Sequence, residues 1–141
     1  MNTNKNSYIF IYASVMVIIV AFLLAFVSSA LKPIQQKNVE LDKKKQVLAA
    51  LNIFEKDAEA AYNTYVKADQ LLNADGTVAA ENGGFAVENA AVSEAQLPLY
   101  VCEVEGETKY VLPLYGAGLW GPIWGYVALN ADKESIYGVY F

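Results

Sequence analysis

The first strong feature along the chain is an unbroken apolar run, YIFIYASVMVIIVAFLLAFVSSAL over residues 8–31, which carries no charge. As a helix rising about 1.5 Å per residue it would be roughly 36 Å long. A bilayer core is about 30 Å thick, and a spanning helix needs about 20 mostly apolar residues. Only a helix or a closed barrel satisfies its own backbone in lipid, so the run predicts a transmembrane helix. Ser28-Ser29-Ala30 would suit a signal-peptide cleavage site, but such peptides have apolar regions of only about 7–15 residues. Within the span, Ala13, Val17, Ala21, Ala25 and Ser29 recur every fourth position. That spacing makes one helical stripe mostly small, the kind that lets helices approach closely in lipid.

Beyond the span the periodicity changes twice. Lys32-Pro33 is expected to end the span, since proline disfavours helix in the residue before it and can open a new one. Residues 38–54 then place Val47, Leu48, Leu51 and Phe54 at helical spacing, with Lys43, Lys44 and Lys45 on the solvated face. Contact of those lysines with anionic lipid headgroups is the alternative reading. Residues 55–72 predict a second helix, with Ala58, Ala61, Tyr62 and Tyr65 on one stripe. Asp75-Gly76 marks a turn. Residues 77–96, rich in Ala, Asn and Glu around Gly83-Gly84, predict an irregular loop with at most short pieces of structure.

From residue 99 the texture is that of β-structure. LYVCEV (99–104) and TKYVLPL (108–114) flank Glu105-Gly106-Glu107 as a hairpin, and IWGYVAL (123–129) and IYGVYF (136–141) follow as further strands. Strands in sequence predict an antiparallel meander with one face covered by the preceding helices. The fold class is therefore α+β. A tail (1–7), a transmembrane helix (8–31), a helical stalk (32–54) and a sheet domain (55–141) follow one another. Domains usually end on a polar, frayed terminus. The apolar strand at 136–141 is thus expected to belong to the front part of a longer domain.

Charge and composition remove several functions. The chain has 141 residues and a net charge of −5; its ten basic residues are all lysines, and it has no histidine. From Gln46 onward four lysines stand against thirteen acids. An acidic domain without arginine is a poor nucleic-acid binder, because phosphate neutralisation supplies most of that affinity. Without histidine there is no side chain with an unperturbed pKa near neutrality for acid–base chemistry, and no His/Cys cluster suits a transition metal. Cys102, the single cysteine, reads as a small buried hydrophobe. Lysines favour the cytoplasmic side of a span. One precedes the helix here and Lys32, Lys37 and Lys43–Lys45 follow, a count that would put the sheet domain in the cytoplasm.

The densest candidate for chemistry is YGAGLWGPIWGY, residues 115–126. Its glycines permit turns and close backbone approach, and its tryptophans and tyrosines offer flat apolar surface with polar edges. That combination suits a planar aromatic ligand, although on composition alone a Gly-rich turn packed into a core is the commoner use. It is not a dinucleotide fingerprint, since Gly116-Ala117-Gly118-Leu119-Trp120-Gly121 leads into Pro122 and a strand instead of a helix.

The apolar span, the stalk LDKKKQVLAALNI and above all YGAGLWGPIWGYVAL resemble the C-type subunit of the Na+-translocating NADH:quinone oxidoreductases, particularly the Bacteroidales-type members. The G-type subunit of the related ion-translocating electron-transport complex shares the layout and is the nearest rival. The resemblance implies a single-pass protein of the bacterial inner membrane with a periplasmic domain, against the lysine count. It also implies a flavin mononucleotide (FMN), joined through its phosphate to a threonine, that relays electrons among the membrane subunits of a six-subunit complex oxidising NADH, reducing quinone and exporting sodium. Gly118, Leu119 and Trp120 match the family's Gly-Leu-Trp element beside the flavin. The Ser-Gly-x-Thr attachment motif does not occur around Thr3, Thr64, Thr77 or Thr108, so the attachment residue cannot be carried over. The reading from a different class is a membrane-anchored structural or binding module without cofactor.

Overall fold

The computed structural model describes residues 4–141, and the first residues of the expected tail lie outside it. The chain divides into two compact units, one up to Glu40 and one comprising Leu41–Phe141. The boundary falls within a single helix, α1 (Asn6–Ala50). In the first unit α1 is long and apolar enough to cross a membrane, and none of that stretch is buried against protein. Its valine, isoleucine, leucine and phenylalanine side chains point outward, as they would into lipid.

Three helical expectations need correction. Pro33 lies inside α1 and does not end it. An interior proline removes one hydrogen bond and costs about 3 kcal/mol, but a break there would orphan several backbone groups on each side. The helix expected to reach residue 54 stops at Ala50, where Asn52 adopts a left-handed φ of 59°. The Ile53 N–H then bonds to the Leu48 carbonyl at 2.9 Å and the Asn52 N–H to the Ala49 carbonyl at 3.0 Å. This is a Schellman closure with asparagine in the place glycine usually takes.

The second helix, expected over 55–72, is helical only as α2 (Ala58–Tyr65), capped by the Asp57 carboxylate accepting from the Ala60 N–H at 3.0 Å. The rest becomes a strand, β1 (Val66–Leu72). VKADQLL is full of helix formers, but as a strand its backbone pairs on both sides, with β2 (Val78–Ala80) and with β3 (Leu97–Val104). Tertiary pairing overrides a weak local preference. The 77–96 stretch is otherwise irregular, with short 3-10 turns at Gly84–Ala86 and Asn89–Ala91.

The predicted meander is present. β3, β4 (Glu107–Gly118), β5 (Gly121–Leu129) and β6 (Ile136–Tyr140) pair in sequence order, giving a six-stranded antiparallel sheet β2-β1-β3-β4-β5-β6. The end of α1 covers one face. Val47, Ala50 and Leu51 pack on Tyr100, Cys102, Val104, Val111, Tyr126 and Ala128. Leu48 packs instead with Ala58 and Ala61 of α2. Fully burying a side chain of valine or leucine size stabilises by about 1.5–3 kcal/mol. Gly138 makes the close contact possible, since a Cβ there would collide with the Ala50 carbonyl.

Candidate functional site

The Gly-rich aromatic stretch forms an arm. β4 and β5 pair from Tyr110↔Leu129 out to Gly118↔Gly121, with Leu119 and Trp120 alone in the turn. The neighbouring strands stop earlier: β3 pairs with β4 no further than Tyr100↔Val111, and β6 with β5 no further than Tyr126↔Tyr140. Beyond those points the two strands run outward as a ribbon. Gly121 takes a φ of 149°, a conformation that side chains rarely adopt, and this sets the return of the chain after Trp120.

Cross-strand neighbours share a face, so strand alternation sorts the arm's side chains. Val111 and Ala128 face the core, as does Tyr126 opposite Pro113. The next pair on that face is Tyr115↔Trp124, followed by Ala117↔Pro122. Tyr115 and Trp124 are each 46% exposed, whereas Tyr126 is fully buried. The core-facing surface therefore continues outward past the helix that covers it. No charged residue occurs between Lys109 and Asp132.

Gly118, Leu119 and Trp120 lie together at the tip, as their adjacency requires, and Leu119 and Trp120 are 91% and 97% exposed. The core-packing expectation for this segment holds at Gly125 and Tyr126 but fails at the turn, which no described strand or helix reaches. Tyr115 and Trp124, which the family's Gly-Leu-Trp element does not include, join the tip in offering apolar surface. Their signal was the two-residue alternation of the strands.

The arm offers flat apolar surface to a planar ring, but it carries no cationic side chain and no threonine for a phosphate. Of the described threonines, Thr64 donates to the Ala60 carbonyl and Thr77 bonds to Asp75, while Thr108 sits opposite Glu103 at the far end of β4. Burial pushes the Tyr126 phenol up to about 12, and its hydroxyl donates to Asn89 Oδ1 at 3.0 Å. Cys102 is buried in the core as expected. A concavity of about 410 Å³ elsewhere in the domain is lined by residues including Asp42, Gln46, Leu48, Ile53, Phe54 and Tyr140. Its lining mixes both charge signs with apolar groups and includes no residue of the arm's tip.

An apolar helix, the one candidate membrane span among the described residues, leading into an antiparallel sheet with an aromatic arm defines the class, an α+β protein. No family model matches the chain. It is similar to the C-type subunit of the Na(+)-translocating NADH-quinone reductase of Haemophilus ducreyi, with 25% identity over 86% of this chain and 56% of the relative. The protein of the same name from Pseudomonas aeruginosa is 26% identical over 99% of this chain and 64% of the relative. The crystal structure of the corresponding protein from Parabacteroides distasonis superimposes with a TM-score of 0.72 at 39% identity, covering 77% of this chain and 56% of that one. In both sequence and fold the chain is similar to C-type subunits of the Na(+)-translocating NADH-quinone reductases. It spans between about half and two thirds of the length of the curated relatives it matches.

Proposed function

We propose that the chain serves as the flavin-holding subunit of a membrane NADH:quinone oxidoreductase, its span in the bacterial inner membrane and its sheet domain in the periplasm. The observation that carries this reading is the uncharged arm, which presents apolar surface at Leu119 and Trp120, almost fully exposed, and at Tyr115 and Trp124, each about half exposed. Likeness to that family supports the rest: electron relay from NADH to quinone, sodium export, and association with the other membrane subunits of the complex. FMN, when bound, supplies the electron chemistry. The arm's residues would hold its ring, orient it and exclude water from its face. No side chain here need act as acid, base or nucleophile.

The test is titration of FMN into the full chain in lipid nanodiscs, followed by tryptophan fluorescence. Both tryptophans lie on the arm, so saturable quenching is expected. An aromatic contact is worth about 0.5–1.5 kcal/mol beyond area burial, and about 1.4 kcal/mol is tenfold in affinity. Trp120→Ala should therefore weaken binding by up to about tenfold. Absence of saturable quenching, together with failure to co-purify with the other subunits, would leave the cofactor-free module as the better description.

A further inference from the structure

Residues 83–91 are held to the domain in an unusual way. Their backbone bonds are local: Ala86 to Gly83, Val87 to Gly84 and Ala91 to Glu88, each three residues back. Attachment to the rest of the domain comes from side chains. Asp69 Oδ2 on β1 accepts from the N–H groups of Gly83 at 3.2 Å and Phe85 at 2.9 Å. Lys43 Nζ, on α1, donates to the carbonyls of Phe85 at 2.6 Å and Val87 at 2.7 Å, and lies 4.9 Å from the Phe85 ring centre. Gly84 sits so close to β1 that a Cβ would come within 2.6 Å of the Gln70 carbonyl. Two residues past Val87, Asn89 accepts the hydroxyl of Tyr126, which stands at the root of the arm.

We infer that residues 83–91 form a strap through which Lys43 and Asp69 fix Tyr126, and thereby the aromatic face of the β4–β5 arm. Lys43, Asp69 and Asn89 are then positioning residues for that face, acting through Tyr126. The geometry gives a continuous set of contacts from α1 to the arm. Lys43 meets the strap at Phe85 and Val87, and the strap meets Tyr126 at Asn89. Tyr126 in turn is fixed edge-on against Tyr100, with ring centres 6.2 Å apart. The next side chains outward on its face are Tyr115 and Trp124. Burial depresses the Lys43 pKa while Glu88 and Asp69 act in the opposite sense, so acidic groups face the ammonium from the strap and from β1. The inference adds positioning residues to the arm proposed to hold flavin. Its test needs no flavin, so the two readings fail separately.

Intermediacy in space does not establish coupling; a double-mutant comparison does. In the full chain in nanodiscs, Trp120→Phe leaves Trp124 as the sole tryptophan. In that background Lys43→Met and Tyr126→Phe should each red-shift Trp124 emission and raise its quenching by acrylamide, with far-UV circular dichroism unchanged. Lys43→Arg, which keeps a cationic donor, should restore most of the signal. The double variant should show no more change than Tyr126→Phe alone. A folded Lys43→Met with unaltered Trp124 emission would overturn the proposal, as would simple addition of the two effects. Should Lys43→Met fail to fold, Asn89→Ala takes its place, and it must reproduce the Tyr126→Phe signal for the strap to stand.

Discussion

Cys102 lies on β3 beneath the end of α1, and burial pushes its thiol up to about 12 from an ordinary value of 9.0. Tyr126 is displaced in the same direction from 10.0. Both groups ionise earlier in the unfolded chain than in the folded one. Their contribution to stability is therefore complete below about pH 9 and is lost as pH rises toward 12. The expected outcome is a melting temperature indifferent to these groups near neutrality and falling above about pH 9. Cys102→Val should make that fall shallower. A thiol reagent at pH 8 should label the native protein far more slowly than the unfolded one. The buried cysteine was legible because it stood among apolar residues at strand spacing. Lys43 was not. Its place in a run of three lysines reads as a wet face, and only the strap, some forty residues further on, draws it inward. Lys44 is likewise engaged, pairing with Glu59 at 3.5 Å and facing the Tyr62 ring.

The arm shows what a strand pair does once its neighbours end. The alternation of YVLPLYGAGLW continues past the sheet, so side chains patterned for a core emerge uncovered. Gly121 at φ 149° is the conformational weak point. Forcing a side chain into so sparse a region costs about 1–3 kcal/mol. Gly121→Val should therefore raise amide hydrogen exchange across residues 115–124, leaving the core of β3 protected. Equal protection in arm and core would mean that the turn tolerates the change. The sequence made the strands of the meander readable through alternation and the turn at Glu105-Gly106-Glu107. It misled over β1, because VKADQLL has a β-preference only at Val66 and becomes a strand by pairing with partners that come later in the chain. It likewise could not show that Leu119 and Trp120 would be exposed. That depends on where β3 and β6 stop, which the arm's own residues do not encode.

For the molecule as a whole, the apolar helix follows from an unbroken uncharged run, and the α+β class from the two periodicities after it, 3.6 and then 2. If the protein works within a multisubunit complex, the small-residue stripe of α1 is a natural place for another helix. Ala21→Leu combined with Ala25→Leu should then lower recovery of partner subunits on purification while membrane insertion persists. Unchanged recovery would reduce the segment to an anchor.

The strand order has a kinetic consequence. From β3 to β6 every strand pairs with its successor in sequence, so each ladder closes over a short turn, and contacts of this local kind form early. β1 is the exception. Its partner β3 lies across the whole 73–96 connection, and closing that loop must precede any return from the pairing. Folding should therefore begin in the C-terminal meander and finish when β1, with β2 beside it, docks on the exposed side of β3.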